Sequence, residues 1–211
     1  MSGARLLVVT AVAAERQAVE RGLPSSHSVT VIDGGVGMAS AAAATAAALC
    51  GEDRYTAVIC AGIGGGFAVA VGGLALATAS VAADLGTESP EGFLGLEELG
   101  LGRSTVECDA DLVSSLAAQL PEAVRGAVLT VATVTGTRER EQILRERHPD
   151  AVAEAMEGFG VATAVTRAGL PFAELRAVSN LVGPRNRPAW RIVDALVALE
   201  RAGAALATLV P

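Results

Sequence analysis

Lysine is absent from this chain of 211 residues, and all 16 of its basic residues are arginine. A phosphate-binding P-loop needs a Gly-Lys-Ser/Thr step, so the absence of lysine excludes one. Acidic residues number 23, which leaves a net charge of -7. This charge argues against a general nucleic-acid surface or an anionic-membrane surface, since both attract basic proteins. A small anionic ligand held by a few placed arginines stays open.

Histidine, cysteine and aromatic residues are also scarce. The chain has two histidines, too few for a multi-histidine metal site. Its three cysteines, Cys50, Cys60 and Cys108, are widely spaced and include no Cys-x-x-Cys, which excludes a disulfide framework and a zinc knuckle. Aromatic residues make up 3% of the chain, so a stacking platform for single-stranded nucleic acid is not expected. We therefore predict no metal site and no nucleic-acid partner.

Charged residues are missing between Arg54 and Asp84, a stretch long enough to cross a bilayer as a helix. Glycines at positions 62, 64–66 and 72–73 would break such a helix, and they indicate two short buried strands instead. Near the N-terminus, Glu15 and Arg16 interrupt the apolar run, so no signal peptide is expected. We expect a soluble, cytoplasmic protein with no membrane partner.

Apolar, β-prone runs alternate with helix-prone runs along the chain. The pattern predicts strands over 6–10, 29–33, 57–60, 74–83, 127–134 and 171–179, helices over 14–21, 38–49, 109–119, 151–168 and 190–206, and a charged helix or turn over 138–147. A more polar segment, 86–102, breaks the alternation. Strands that are apolar throughout indicate a sheet covered by helices on both faces, so we expect an α/β fold with residues 1–211 in one domain.

Glycine-rich turns raise the question of dinucleotide binding. The run at 62–66 follows the third predicted strand, whereas the first strand continues into Ala11-Val12-Ala13-Ala14 without a glycine. The dinucleotide fingerprint belongs to the first strand–turn–helix unit, so this placement argues against a nicotinamide or flavin site. The turns still matter, because ligands of α/β sheets bind where strands end. Unusual residues gather at such ends, at 10–15, 34–37, 62–66, 134–137 and 179–180.

Three polar side chains at these positions are candidates for chemistry. Glu15 lies in the first turn of a predicted helix, where a carboxylate is often a simple partner of the helix dipole. Glu157 lies within a predicted apolar helix, and a carboxylate on a core-facing stripe needs a polar partner. Asn180 follows a buried strand, a position at which asparagine commonly forms a turn. From the residues alone, the structural and functional interpretations of each stay open.

Together these residues belong to motifs that resemble those of the purine nucleoside phosphorylase/nucleosidase superfamily. The motifs are Thr-Ala-Val-Ala-Ala-Glu at 10–15, Gly-Val-Gly-Met-Ala-Ser-Ala-Ala at 35–42, Ala-Gly-Ile-Gly-Gly-Gly at 61–66, Ala-Met-Glu at 155–157 and Arg-Ala-Val-Ser-Asn at 176–180. The pattern is most similar to the methylthioadenosine/S-adenosylhomocysteine nucleosidase branch and covers residues 6–199. The resemblance implies a three-layer phosphorylase/hydrolase-like fold with a central mixed sheet flanked by helices, in a homo-oligomer.

The resemblance also implies roles for individual residues in cleaving an N-glycosidic bond. Glu15 matches the carboxylate that activates water, and Glu157 matches the carboxylate that binds the ribose diol, with Met156 packed on the sugar. Val134 and Thr135 match the segment that brackets the base. Gly64 and Ser179 lie in the matching glycine and Arg-Ala-x-Ser motifs and are expected to contact the nucleoside. This chemistry requires no metal or organic cofactor.

Asn180 departs from the adenine-cleaving relatives, which carry aspartic acid there. A carboxamide cannot protonate N7, but its N–H donors can be directed at N7 and a 6-oxo group, so Asn180 favours a hypoxanthine-type base. The segment that follows, 180–190, resembles that of the futalosine hydrolases, which remove hypoxanthine from futalosine in a menaquinone pathway. Futalosine carries a benzoate, for which a guanidinium is a suitable partner, and we expect Arg185 or Arg187 to meet it.

Other functions stay open. A phosphorylase differs only in its nucleophile, and its N-terminal segment usually carries Gly-x-Pro-x-Arg where this chain has Ala13-Ala14-Glu15. A carboxylate there repels phosphate and suits water. A methylthioadenosine/S-adenosylhomocysteine nucleosidase that tolerates Asn180 is a second alternative. A non-catalytic nucleoside-binding module is a third, and the presence of both Glu15 and Glu157 disfavours it.

Overall fold

The computed structural model of the chain describes residues 5–209. Its strands are β1 (Leu6–Thr10), β2 (Val29–Asp33), β3 (Ala57–Gly66), β4 (Leu74–Ala82), β5 (Gly86–Ser89), β6 (Gly92–Gly95), β7 (Thr105–Glu107), β8 (Val124–Thr130), β9 (Ala151–Ala155) and β10 (Phe172–Leu181). Its helices are α1 (Ala13–Gly22), α2 (Met38–Leu49), α3 (Ala110–Gln119), α4 (Arg138–Arg147), α5 (Gly158–Ala168) and α6 (Ile192–Ala207), with a short 3₁₀ turn at Arg187–Ala189.

One eight-stranded mixed sheet forms the centre of the fold. Its strands follow the order β10-β4-β8-β9-β3-β1-β2. The short strand β7 pairs with residues 79–81 of β4, and β10 pairs with residues 74–76 of the same strand. An additional pairing between β10 and β3 closes five strands, β3, β10, β4, β8 and β9, into a ring. The pairings of β10 with β4, of β3 with β9 and of β4 with β7 are antiparallel, and the others in this sheet are parallel. The expected central mixed sheet is thereby confirmed.

Helices cover both faces of this sheet, as the apolar strands predict. In β1, Leu6 and Val8 pack into one core against the α1 and α6 side, while Leu7 and Val9 pack into another with α5. Successive side chains of a strand point to opposite faces, so a fully apolar strand needs a core on each side. Within the described residues, no helix has the length and apolar character needed to cross a bilayer.

The region 151–168 was expected to be a single helix, and this expectation is wrong. Residues Ala151–Ala155 form β9, a fully buried strand between β8 and β3, and the helix begins only at Gly158. Alanine favours a helix in isolation, but propensity is weak against tertiary pairing. Pairing with β8 on one side and β3 on the other makes this segment a strand. Glu157 is consequently the N-cap residue of α5 rather than part of a helix interior.

The glycine run at 62–66 was expected to close the third strand, but it continues β3 to Gly66. Other differences are smaller: the predicted strand at 127–134 spans Val124–Thr130, and the last helix begins at Ile192. The polar segment 86–102 contains the β5–β6 hairpin, and β7 was not predicted. Short exposed strands of this kind have little apolar alternation from which to predict them.

Candidate active site

A cavity of about 320 Å³ opens at one end of the sheet, where β1, β3, β9 and β10 end. Its size falls in the range of small-molecule sites. Every site residue predicted from the sequence except Arg187 lines it, namely Glu15, Gly64, Val134, Thr135, Met156, Glu157, Ser179, Asn180 and Arg185. Arg187 begins the exposed 3₁₀ turn outside this lining. Side chains from distant parts of the sequence therefore meet in one place.

Glu15 is a buried carboxylate held by three backbone donors. It occupies the N3 position of α1, and its Oε2 accepts hydrogen bonds from the backbone N–H of Ala11 (2.8 Å) and Val12 (3.2 Å). Its Oε1 accepts from the N–H of Ile63 at 2.8 Å. A carboxylate near a helix N-terminus is ordinary, but the bond from Ile63 also joins α1 to β3. Glu15 is therefore fixed in position with one edge toward the cavity.

Glu157 is the second buried carboxylate of the cavity. Its Oε1 accepts from the N–H of Gly37 at 3.2 Å, and its Oε2 accepts from the guanidinium of Arg176 at 3.1 Å and the N–H of Met156 at 3.3 Å. Each carboxylate oxygen accepts about two hydrogen bonds, so Oε1 can take one hydroxyl as it stands, and Oε2 can take a second in place of the long bond from Met156. A cis-diol is a ligand that this arrangement suits.

Arg176 ties Glu157 to a second acidic residue that the sequence analysis did not assign. The fully buried Arg176 donates from Nε to Glu174 at 2.8 Å and from Nη2 to the sulfur of Cys60 at 3.0 Å. Burial raises the pKa of the Glu174 carboxyl, and the Arg176 guanidinium acts against this rise. The sequence did contain a signal for this pair. Glu174 and Arg176 lie at alternate positions of an apolar strand, so their side chains share one face of the sheet and need polar partners there.

Glycine at position 62 makes room for these charges. A Cβ on Gly62 would lie 2.9 Å from the Arg176 Nη1 and 3.0 Å from the Glu15 Oε1. Both distances are shorter than normal contacts, so a side chain at this position would displace one of the two groups. The glycine run in β3 therefore serves the close approach of buried polar side chains. It does not form a phosphate-binding turn.

Asn180 lies at the end of β10, beyond a bulge between Val178 and Asn180. Its Oδ1 accepts a hydrogen bond from the Ser179 hydroxyl at 2.8 Å, which fixes the direction of the amide. Its Nδ2 donates to the carbonyl of Leu181 at 3.0 Å. An amide nitrogen has two hydrogens, so one N–H donor stays available toward the cavity.

A third carboxylate, Glu154, also lines the cavity and was missed by the sequence analysis. Its Oε1 accepts from the N–H of Thr135 at 2.8 Å, and its Oε2 accepts from the Thr135 hydroxyl. Burial raises the pKa of the Glu154 carboxyl, while the bonds from Thr135 lower it. Alanines on both sides of Glu154 suggested a helix, and that expectation concealed its place on a strand.

Arg185 and Trp190 form the outer wall of the cavity. The guanidinium carbon of Arg185 lies 5.8 Å from the centroid of the Trp190 ring, within the range of a cation–π contact. The Arg185 backbone N–H donates to the carbonyl of Gly136 at 3.0 Å. Arg185 is the one cationic side chain among the cavity-lining residues within 5–209. No group of three metal-ligating side chains occurs in that same part of the chain.

This chain is similar in sequence to known proteins along nearly its whole length. The phosphorylase superfamily matches residues 9–210. The futalosine hydrolase of Streptomyces coelicolor is 50% identical, and the alignment covers 96% of this chain and 94% of that protein. The futalosine hydrolase of Acidothermus cellulolyticus is 49% identical, over 95% of this chain and 89% of that protein.

Solved structures of more distant proteins have the same fold. The native futalosine hydrolase of Helicobacter pylori matches with a TM-score of 0.84 at 14% identity, covering 98% of both chains. The 5′-methylthioadenosine/S-adenosylhomocysteine nucleosidase of Neisseria meningitidis, in complex with methylthio-immucillin-A, matches with a TM-score of 0.80 at 17% identity. That match covers 97% of this chain and 98% of the nucleosidase.

Proposed function

Because the chain belongs to the phosphorylase superfamily, we propose that it is an N-glycosyl hydrolase that splits futalosine into hypoxanthine and dehypoxanthine futalosine, a step of menaquinone biosynthesis. The observation that carries the proposal is the meeting of Glu15, Glu157 and Asn180 in one cavity. Cleavage of a nucleoside needs an activated water, a held ribose and a partner for the departing base. These three side chains match the three needs.

In the proposed mechanism, Glu15 accepts a proton from water while the water oxygen bonds to C1′ of the ribose. The electron pair of the bond between C1′ and N9 passes to the purine. Glu157 accepts hydrogen bonds from the 2′ and 3′ hydroxyls, which favours the positively charged sugar of the transition state. Asn180 donates from Nδ2 to the edge that carries N7 and the 6-oxo group, where negative charge develops as the base leaves. The departing purine anion takes a proton from solvent and becomes hypoxanthine, and Glu15 returns its own proton to solvent.

The arrangement around Glu15 favours water over phosphate as the nucleophile. A phosphorylase must neutralise a phosphate anion, and the only cation that lines the cavity within residues 5–209 is Arg185, on the outer wall. Arg176 is nearby, but its guanidinium is already shared between two carboxylates. A phosphate next to Glu15 would therefore meet negative charge without compensation.

The proposed function is tested by incubating the protein with futalosine, inosine and methylthioadenosine in phosphate-free buffer and measuring the free base. We expect hypoxanthine from futalosine without added phosphate. Base release that depends on phosphate would identify a phosphorylase, and preferential adenine release would identify a methylthioadenosine nucleosidase. Ligand binding without any base release would identify a nucleoside-binding module.

Arg185→Ala should raise the KM for futalosine by about tenfold or more, the effect of losing one charge-assisted hydrogen bond to the benzoate. Arg187→Ala is the matched control, because Arg187 carries the same charge two residues away but lies outside the cavity lining. Steady-state kinetics on both variants decides the assignment. Equal KM values in wild type and Arg185→Ala would remove Arg185 from the substrate site.

Asn180→Asp should shift preference from hypoxanthine nucleosides toward adenine nucleosides, because a carboxylic acid can protonate N7 whereas an amide cannot. The ratio of kcat/KM for inosine to that for adenosine measures the shift, and we expect it to fall by about tenfold or more. An unchanged ratio would contradict the role of Asn180 in selecting the base.

We also propose that residues 1–211 act as one domain in a cytoplasmic homo-oligomer. Val193 (71% exposed) and Val197 (53% exposed) lie one turn apart on α6, and this uncovered apolar stripe supports an interface between copies. Light scattering on the purified protein measures the assembly directly. A monomer at micromolar concentration would contradict this proposal.

A further inference from the structure

The end of the sheet carries a row of three residues on neighbouring strands. Gly65 of β3 pairs with Asn180 of β10 on one side and with Glu154 of β9 on the other. Neighbouring strands lie about 4.8 Å apart, so the backbones of Asn180 and Glu154 are separated by roughly 10 Å. A Cβ at Gly65 would lie 3.4 Å from Asn180 Nδ2, so the glycine keeps the middle of the row free of a side chain.

All three residues of this row line the cavity. The row is therefore a platform with the Asn180 amide at one end and the Glu154 carboxylate at the other. A planar bicyclic base can lie over the glycine with one edge toward the amide and the neighbouring edge toward the carboxylate. Thr135, in the segment expected to bracket the base, is hydrogen-bonded to Glu154. The row and this segment therefore border the same part of the cavity.

Glu154 has an unusual balance of charge and partners. It is 4% exposed, yet it takes part in none of the ion pairs found within residues 5–209. Within the part of the chain that the structure describes, both hydrogen bonds to its carboxylate come from Thr135. A buried carboxylate without a cation is costly unless donors surround it, and burial raises its pKa accordingly. Each oxygen keeps a lone pair, so a donor from a ligand would improve the site.

We propose that Glu154 selects 6-oxopurines by accepting a hydrogen bond from N1–H of the base, an inference that rests on the proposed function. Hypoxanthine carries a hydrogen on N1, next to the 6-oxo group. In adenine, N1 is an acceptor, and its lone pair would face the carboxylate. Asn180 and Glu154 thus recognise successive atoms of the base: the amide donates to the N7 and 6-oxo edge, and the carboxylate accepts from N1.

Glu154→Gln should lower the ratio of kcat/KM for inosine to that for adenosine by about 10-fold to 100-fold, the effect of a hydrogen bond to a charged group. The glutamine amide can turn its NH₂ toward N1 of adenine, so adenosine cleavage should hold or rise while inosine cleavage falls. Equal losses on both nucleosides would overturn the proposal, because they would show that Glu154 acts only by supporting the local structure.

Thr135→Val distinguishes a direct contact between Glu154 and the base from a purely structural role of Glu154. The substitution removes the hydroxyl bond to Glu154 but leaves the carboxylate. Thr135 itself borders the base, so we expect kcat/KM to fall by the same factor for inosine and adenosine, which leaves their ratio near the wild-type value. A loss of selectivity in Thr135→Val that equals the loss in Glu154→Gln would overturn the direct contact. If Glu154→Gln does not fold, Glu154→Asp, which withdraws the carboxylate by one methylene group, should lower the ratio in the same direction.

Binding of free bases keeps this inference separate from the proposed function. Calorimetry should show that wild type binds hypoxanthine more tightly than adenine, and that Glu154→Gln loses this difference. If the wild type cleaves no nucleoside but shows this pattern, the proposed function fails and the inference stands. If it cleaves futalosine but Glu154→Gln keeps the full preference for hypoxanthine, the inference fails and the proposed function stands.

Discussion

Glu15→Gln should lower kcat/KM for base release on the order of 10²-fold or more, as expected for the loss of a general base. In the proposed mechanism, the substitution removes the group that takes the proton from water. It also places an NH₂ where one carboxylate oxygen accepts hydrogen bonds, either from Ile63 or from Ala11 and Val12. One donor must then face another donor, so the glutamine cannot reproduce the geometry of Glu15.

Glu20→Gln is the matched control for this experiment. Glu20 lies on the same helix, five residues further on, and forms an exposed ion pair with Arg16. Surface pairs of this kind contribute little to stability, and this one does not line the cavity. We expect near wild-type kinetics and an unchanged melting temperature for this variant. Full activity in Glu15→Gln would contradict its assignment as the base.

Glu157→Gln should have an effect of similar size on kcat/KM, on the order of 10²-fold or more, because in the proposed mechanism the carboxylate stabilises the charged sugar of the transition state. It should also destabilise the protein, unlike a change at an exposed site. Arg176 loses one of its two carboxylates, and a hydrogen bond to a charged group contributes about 1.5–3 kcal/mol to the free energy of unfolding.

Two measurements separate these effects. Chemical denaturation measures the loss of stability, and kinetics well below the melting temperature measures the loss of catalysis. Glu200→Gln serves as a control, since it removes one partner of the exposed pair between Arg21 and Glu200. We expect it to change the free energy of unfolding by less than about 1 kcal/mol. A fully active Glu157→Gln would contradict the assignment of Glu157 to the ribose.

Much of the fold could be predicted because local pattern and tertiary structure agree there. The strand Leu6–Thr10 and the helix Met38–Leu49 have the predicted bounds, since apolar runs and alanine propensity favour the same structures that burial selects. The prediction failed at Ala151–Ala155, where alanine propensity favours a helix but pairing with β8 and β3 decides the structure. No local pattern contains that information.

In the candidate site too, some residues could be predicted from local sequence and others could not. Glu15, Glu157 and Asn180 could be proposed because each lies in a motif of consecutive residues. Glu154 and Glu174 could not, because their importance depends on partners brought together by strand pairing: Thr135 for the first and Arg176 for the second. Charged residues inside alanine-rich or strand-like apolar runs were the available signal, and they indicate burial without naming the partner.

The closed ring of β3, β10, β4, β8 and β9 carries Asn180 and Glu154, which both line the cavity. Each strand of the ring pairs with a neighbour on both sides. The ring is therefore a frame that supports these two side chains without help from the loops around it. The segment after β10, with Arg185 and Trp190, extends outside this frame. Under the proposed function, insertions or exchanges in that segment would change which 5′ group is accommodated, while Asn180 and Glu154 would keep their places.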